Sequence, residues 1–120
     1  MRFMGTWDAG PFANDAALDF VGESIGHIMG TVDEFMGAPQ IDETFDAAFA
    51  AIALLNAIMG VTPSRPWRDG GVVDGAPIRA AMLRCFDEQI DDLDPDPEFK
   101  QKQRVALIAT LDRFVAFLGE

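Results

Sequence analysis

Asp15, Asp19, Glu23 and His27 follow one another at four-residue spacings. Residues four apart share a helix face, so three carboxylates and an imidazole would stack along one side of a helix. That donor set suits a divalent metal, as in carboxylate-bridged bundles. Such a centre also needs acidic residues from a facing helix. The second helical segment supplies only Asp46 and Asn56 inside its span, and no Glu-x-x-His motif occurs. The row equally fits a solvated face opposite an apolar stripe. Asp92-Leu93-Asp94-Pro95-Asp96 imitates the opening of a calcium loop, but Pro97 stands where glycine is required and Gln103 where the bidentate glutamate belongs. Seven carboxylates nevertheless crowd the twelve positions from Asp87 to Glu98. A cluster this dense is either solvated or relieved by a cation or a basic partner, and helix capping by Asp96 accounts for one member.

Nucleophilic catalysis lacks its parts. Ser24 and Ser64 are the only serines, His27 is the only histidine, and Cys85 sits in an apolar setting that disfavours thiolate. No phosphate-binding loop or dinucleotide fingerprint is present. An enzyme is therefore the weaker class, no catalytic residue is assigned, and no cofactor is expected.

The connection from Thr62 to Gly75 carries Arg65, Trp67 and Arg68, and Trp and Arg are the residues that most often anchor interfaces. The competing reading has Trp67 folding back to plug the bundle end, paired with Trp7. Residues 1–60 hold one basic residue against nine acidic, and the remainder holds eight against eleven. Together with Asp91, Asp92 and Asp94, the three loop residues are the candidates for contact with a protein partner.

The elements that must position these residues are helices. Asn14 or Asp15 caps a first helix in which Leu18, Val21, Ile25, Ile28, Val32 and Phe35 recur at three- and four-residue steps, and Gly37 ends it. Gly22, Gly26 and Gly30 lie along one shoulder of that stripe. Each costs about 1 kcal/mol of helix propensity against alanine, which implies a close backbone neighbour or a kink near Gly30. Asp42 caps a second helix that reaches Met59 and stops at Gly60. Its run from Ala47 to Leu55 is apolar nearly all round and reads as the buried centre of a bundle. A third helix runs from Pro77 to Leu93, with Ile78, Met82, Cys85, Phe86 and Ile90 inward. The fourth opens at Asp96-Pro97 and points Val105, Ile108, Leu111, Val115 and Leu118 at the core. Val72-Val73 is too brief for a strand by itself. The expectation is an all-α, single-domain bundle of about four helices over residues 1–120, with an irregular Gly- and Trp-containing N-terminal lead-in.

At 120 residues and 49% hydrophobic content, the chain fits one packed domain. A formal net charge of −11 disfavours nucleic acid and anionic membrane surfaces, and favours solubility and a basic partner. The lone Cys85 excludes an internal disulfide and reads as a small buried hydrophobe. No signal peptide is visible, and the run from Ala47 to Leu55 falls short of a membrane span, so a cytoplasmic location is expected.

The lead-in carries a resemblance. Gly5-x-Trp7-x-x-Gly10-x-Phe12-x-Asn14-Asp15, followed by Ala17, Asp19 and Phe20, resembles the start of an uncharacterised, mainly bacterial family, domain of unknown function 4259. The match is specific over about fifteen residues and loose beyond them. It implies a small helical domain and carries over no catalytic residue. The function expected from these observations is a non-catalytic module that binds another protein, in the manner of immunity proteins or antitoxins that neutralise a basic partner. The alternative is a metal-binding protein or metal-dependent enzyme using Asp15, Asp19, Glu23 and His27. Oligomeric state is left open.

Overall fold

Short polar side chains start three of the four helices by taking up an unpaired backbone N–H. In the computed structural model, which describes residues 10–119, the Asn14 side chain accepts from the Ala17 N–H at 2.9 Å and opens α1 (Asp15–Gly37). Asp42 accepts from Thr44 at 2.8 Å ahead of α2 (Glu43–Val61), and Asp96 accepts from Glu98 at 2.8 Å ahead of α4 (Pro97–Leu118). The remaining helix, α3 (Ala76–Gln89), begins instead with a proline in its first turn. It tightens into a 3-10 turn over Ile90–Leu93 and stops at Asp94, in the left-handed region at φ 50°, ahead of Pro95. The helical part of the expected third segment is therefore shorter than Pro77–Leu93. Of the lead-in, Gly5 and Trp7 lie outside the described residues.

The all-α, four-helix expectation is met. The loop between α2 and α3 holds the one departure among the described residues, a two-residue antiparallel ladder. Strand β1 (Trp67–Arg68) pairs with β2 (Gly71–Val72), Trp67 opposite Val72. Asp69 at φ 55° and Gly70 at φ 81° supply the two positive dihedrals that a tight right-twisted hairpin turn demands. The Asp-Gly pair was the signal for this hairpin in the sequence.

Helix α1 runs antiparallel to α2, and Phe35 meets Phe45 edge-on near their connection, ring centroids 5.8 Å apart. Helices α2 and α4 run parallel: Asn56 bonds the Thr110 carbonyl, and Gly60 lies over Phe117 one and two turns on. Helix α3 is antiparallel to α4, with Arg79 on Asp112 and Arg104 on Asp87. The result is elongated, 53 by 29 by 21 Å. Buried side chains from all four helices form one continuous cluster, with Phe35, Phe45, Phe86 and Phe114 fully enclosed.

Two expectations are corrected. The core face of α4 is Leu107, Leu111 and Phe114, whereas Val105 is 58% exposed, because the packed stripe is rotated from the one the sequence suggested. And α1 is an unbroken helix in which nothing among the described residues approaches the glycine row: a Cβ built on Gly22, Gly26 or Gly30 meets none of their atoms within 4 Å.

Candidate docking surface

The outward side of α2 is the most unusual surface of the molecule. Ala47, Ala50, Ala53, Leu54, Ala57, Gly60 and Val61 are all exposed, Leu54 to 56%. Positions 47, 50, 54, 57 and 61 repeat at three- and four-residue steps, so they form one straight seam along the helix. No charged residue interrupts it. The expectation of a fully buried α2 is thus corrected. Its inner side (Phe45, Ala48, Ile52, Leu55, Met59) is core, while α1 and α4 flank it and leave the outer seam open. By length and composition the helix is also long and apolar enough to cross a bilayer, with mean hydropathy 1.7, and 39% of that stretch is buried within the fold. The sequence did not single out this seam, because α2 is apolar nearly all round.

On the α4 side of the seam lies a shallow groove of about 410 Å³ lined by Ala53, Asn56, Ala57, Ala109, Thr110 and Arg113. Asn56 is 6% exposed; its amide donates to the Thr110 carbonyl at 3.0 Å, and its Oδ1 has no hydrogen-bond partner among the described residues. A buried acceptor left in that state costs on the order of 1–3 kcal/mol. On the α1 side, Phe12, Phe20, Val21 and Ser24 meet Ile58, Val61 and Thr62 around a second, smaller groove.

The acidic row behaves as its spacing predicts and goes no further. Asp15, Asp19, Glu23 and His27 all sit on the exposed side of α1, and among the described residues none of the three carboxylates has an ion pair. No facing helix contributes donors: among the described residues, no three His, Cys, Asp or Glu side chains gather closely enough to hold a metal ion.

The loop candidates separate. Trp67 is 67% exposed, which corrects the reading that it plugs the bundle end. Arg68 forks onto Asp33 of α1 with contacts of 2.8 and 2.6 Å, and that pairing raises the guanidinium pKa. It ties the hairpin to α1. Arg65 turns inward, donating from Nε to the Phe117 carbonyl at 3.2 Å and from Nη1 to the carbonyls of Thr62 (3.2 Å) and Ser64 (2.9 Å). Its guanidinium also stacks 5.5 Å from the Phe117 ring centroid. Arg65 is thus committed to joining the ends of α2 and α4. No family model matches the chain. Nor does any curated protein or solved structure.

The carboxylate-rich stretch is more orderly than its composition suggested. Asp87 receives Arg104 in a fork at 2.8 and 3.0 Å, and this hydrogen bonding holds its carboxyl below the usual range. Asp91 takes Lys100 at 2.7 Å, and Asp96 caps α4. Asp92 and Asp94 stay exposed on the 3-10 turn and its end. Cys85 is buried, and desolvation, then the charges of Asp42 and Glu88, push its thiol pKa up, so it is unsuited to nucleophilic work.

Proposed function

We propose that this chain is a non-catalytic protein-binding module whose docking face is the outer seam of α2 over Ala47, Ala50, Ala53, Leu54 and Ala57. One observation carries the reading: an uncharged, apolar, exposed helix face in a chain of which 24% is charged. Alanine side chains keep that face shallow, so a second helix can approach within the 8–10 Å usual for packed pairs. Next to it stands α1, with the exposed carboxylates of Asp15, Asp19 and Glu23. An apolar centre beside a charged edge is ordinary interface anatomy. The sign of the edge selects the partner: a helical segment with one apolar side and lysines or arginines around it. The net charge of −11 would speed such an encounter and make it salt-dependent. The resemblance of the lead-in to domain of unknown function 4259 agrees with a small helical module and adds no activity.

The test compares three baits on native cell extract: the wild-type chain, Leu54→Glu, and Glu98→Gln as a control outside the seam. A specific partner is retained by wild type and by Glu98→Gln, is lost with Leu54→Glu, and weakens between 50 and 300 mM salt. If every captured protein binds Leu54→Glu as well as wild type, the seam is not the docking face.

A further inference from the structure

We infer that Asn56 and Arg113 read one carboxamide side chain, a glutamine or an asparagine, on the helix that docks along the outer seam of α2. The inference rests on that docking face and names the polar contact that the groove between α2 and α4 adds to it. Ala53 and Ala57 belong both to the seam and to the wall of this groove, so a helix lying on the seam also covers the groove. At about 410 Å³ the groove has room for a long side chain. Among the described residues the Asn56 amide makes one hydrogen bond, from Nδ2 to the Thr110 carbonyl at 3.0 Å. A second N–H and the buried Oδ1 acceptor are left over. The Thr110 carbonyl lies inside α4, where the helix's own ladder already serves it, so this bond holds the amide only lightly. The terminal torsion of asparagine is soft, and Oδ1 is free to turn to a donor that enters the groove.

Arg113, on the α4 wall, decides between the possible donors. It stacks 5.4 Å from the Phe117 ring centroid and has no carboxylate partner among the described residues. An entering carboxylate would suit Arg113 but would face Oδ1 with no proton to give. An entering lysine or arginine would satisfy Oδ1 but meet the like charge of Arg113 in a place that the docked helix shields from water. An apolar side chain would leave both groups unmet. A carboxamide brings an N–H for Oδ1 and a carbonyl for Arg113 on one planar group. A site of buried polar groups rejects occupants that leave them unpaired far more strongly than an apolar pocket rejects a misfit. One polar residue beside an apolar helix seam also fixes register, so Asn56 sets where along α2 the partner helix sits.

The probe is a displayed library of single helices of 19 residues, the length of α2, with an alanine and leucine seam and lysines on its flanks. Each seam position is randomised in turn, and clones are selected on the wild-type chain and re-tested on Leu54→Glu. Among clones that Leu54→Glu loses, glutamine or asparagine should be enriched several-fold at one seam position. On Asn56→Leu and Asn56→Ala that preference should give way to leucine or methionine. On Arg113→Gln, lysine should be accepted there as well. Circular dichroism and melting curves check each fold, and Asn56→Leu should melt no lower than wild type, because it removes a buried unpaired acceptor. Leu54-dependent clones without a carboxamide preference, or with one that survives both Asn56 substitutions, overturn this inference and leave the docking face standing. A library that yields no Leu54-dependent clone overturns the docking face as well.

Discussion

Replacing Gly22, Gly26 and Gly30 together with alanine should make this protein more stable. Glycine inside a helix is unfavourable because the unfolded chain loses more freedom at glycine than at any other residue. Natural chains retain such residues where a side chain would collide. Here none would collide: the three positions are exposed, and a methyl at each meets no atom of the described residues within 4 Å. The alanine preference of about 0.8–1.0 kcal/mol per residue should therefore be realised nearly in full; at about 0.7 kcal/mol each, the triple variant gains about 2 kcal/mol. An unfolding entropy of about 2.1 cal/mol/K per residue gives about 0.25 kcal/mol/K for this chain, so the melting temperature should rise by about 8 °C. Calorimetry at two protein concentrations, with size-exclusion chromatography alongside, measures it. A lowered melting temperature would refute the reasoning, since something must then meet those methyl groups. If the loss grew with concentration and a dimer peak vanished, that something would be a second copy packed on the glycine row.

Arg65→Ala should cost about 2 kcal/mol, because several carbonyl acceptors at the ends of α2 and α4 lose a charged donor, and Arg65→Lys should restore less than half in a urea titration, since an ammonium cannot reproduce the planar fork. Because Arg104 lowers the Asp87 pKa, that pair contributes above the ordinary carboxylate value of about 3.9 and its contribution fades as pH falls through the depressed value. Arg104→Gln should thus melt at most about 2 °C below wild type at pH 7, as exposed pairs contribute little, and the gap should narrow in thermal scans as the pH is taken below the ordinary carboxylate range. Cys85 should react with iodoacetamide at pH 7.5 only as fast as the protein opens, and orders of magnitude faster in 6 M urea; rapid alkylation of native protein would place the thiol at the surface.

How much could be read in advance differs by element. The caps Asn14, Asp42 and Asp96 and the inward stripe of α1 were legible, because each is set by local backbone needs and a strong 3.6-residue period. The phase of α4 was not. Val105, Leu107, Ile108, Leu111 and Val115 offer apolar residues on more than one side, and packing against α2 and α3 chose Leu107, Leu111 and Phe114. The glycine row misled for a physical reason: a propensity penalty says that a side chain is absent and does not say what lies opposite. For the docking face, the difficulty was that an alanine-rich helix has nearly equal hydrophobicity all round. Which side is inward then depends on neighbours, and those are set by long-range packing. Arg65, Trp67 and Arg68 looked equivalent as loop residues, yet the fold gives them three fates, as a tie between helix ends, an exposed indole and an anchor to Asp33.

None of the four α-helices carries a basic residue in its last turn. In a parallel pair such as α2 and α4, the aligned peptide dipoles place roughly half a negative charge at each C-terminus, side by side at one end of the molecule. The antiparallel neighbours α1 and α3 bring their positive N-termini to the same end and offset part of this field. Arg65 arrives there from the following loop, not from either helix, and faces both termini at once. The connection between α2 and α3 therefore adds a full positive charge where the two C-termini meet, and a chain with this loop shortened would leave the last carbonyls of both helices without that donor.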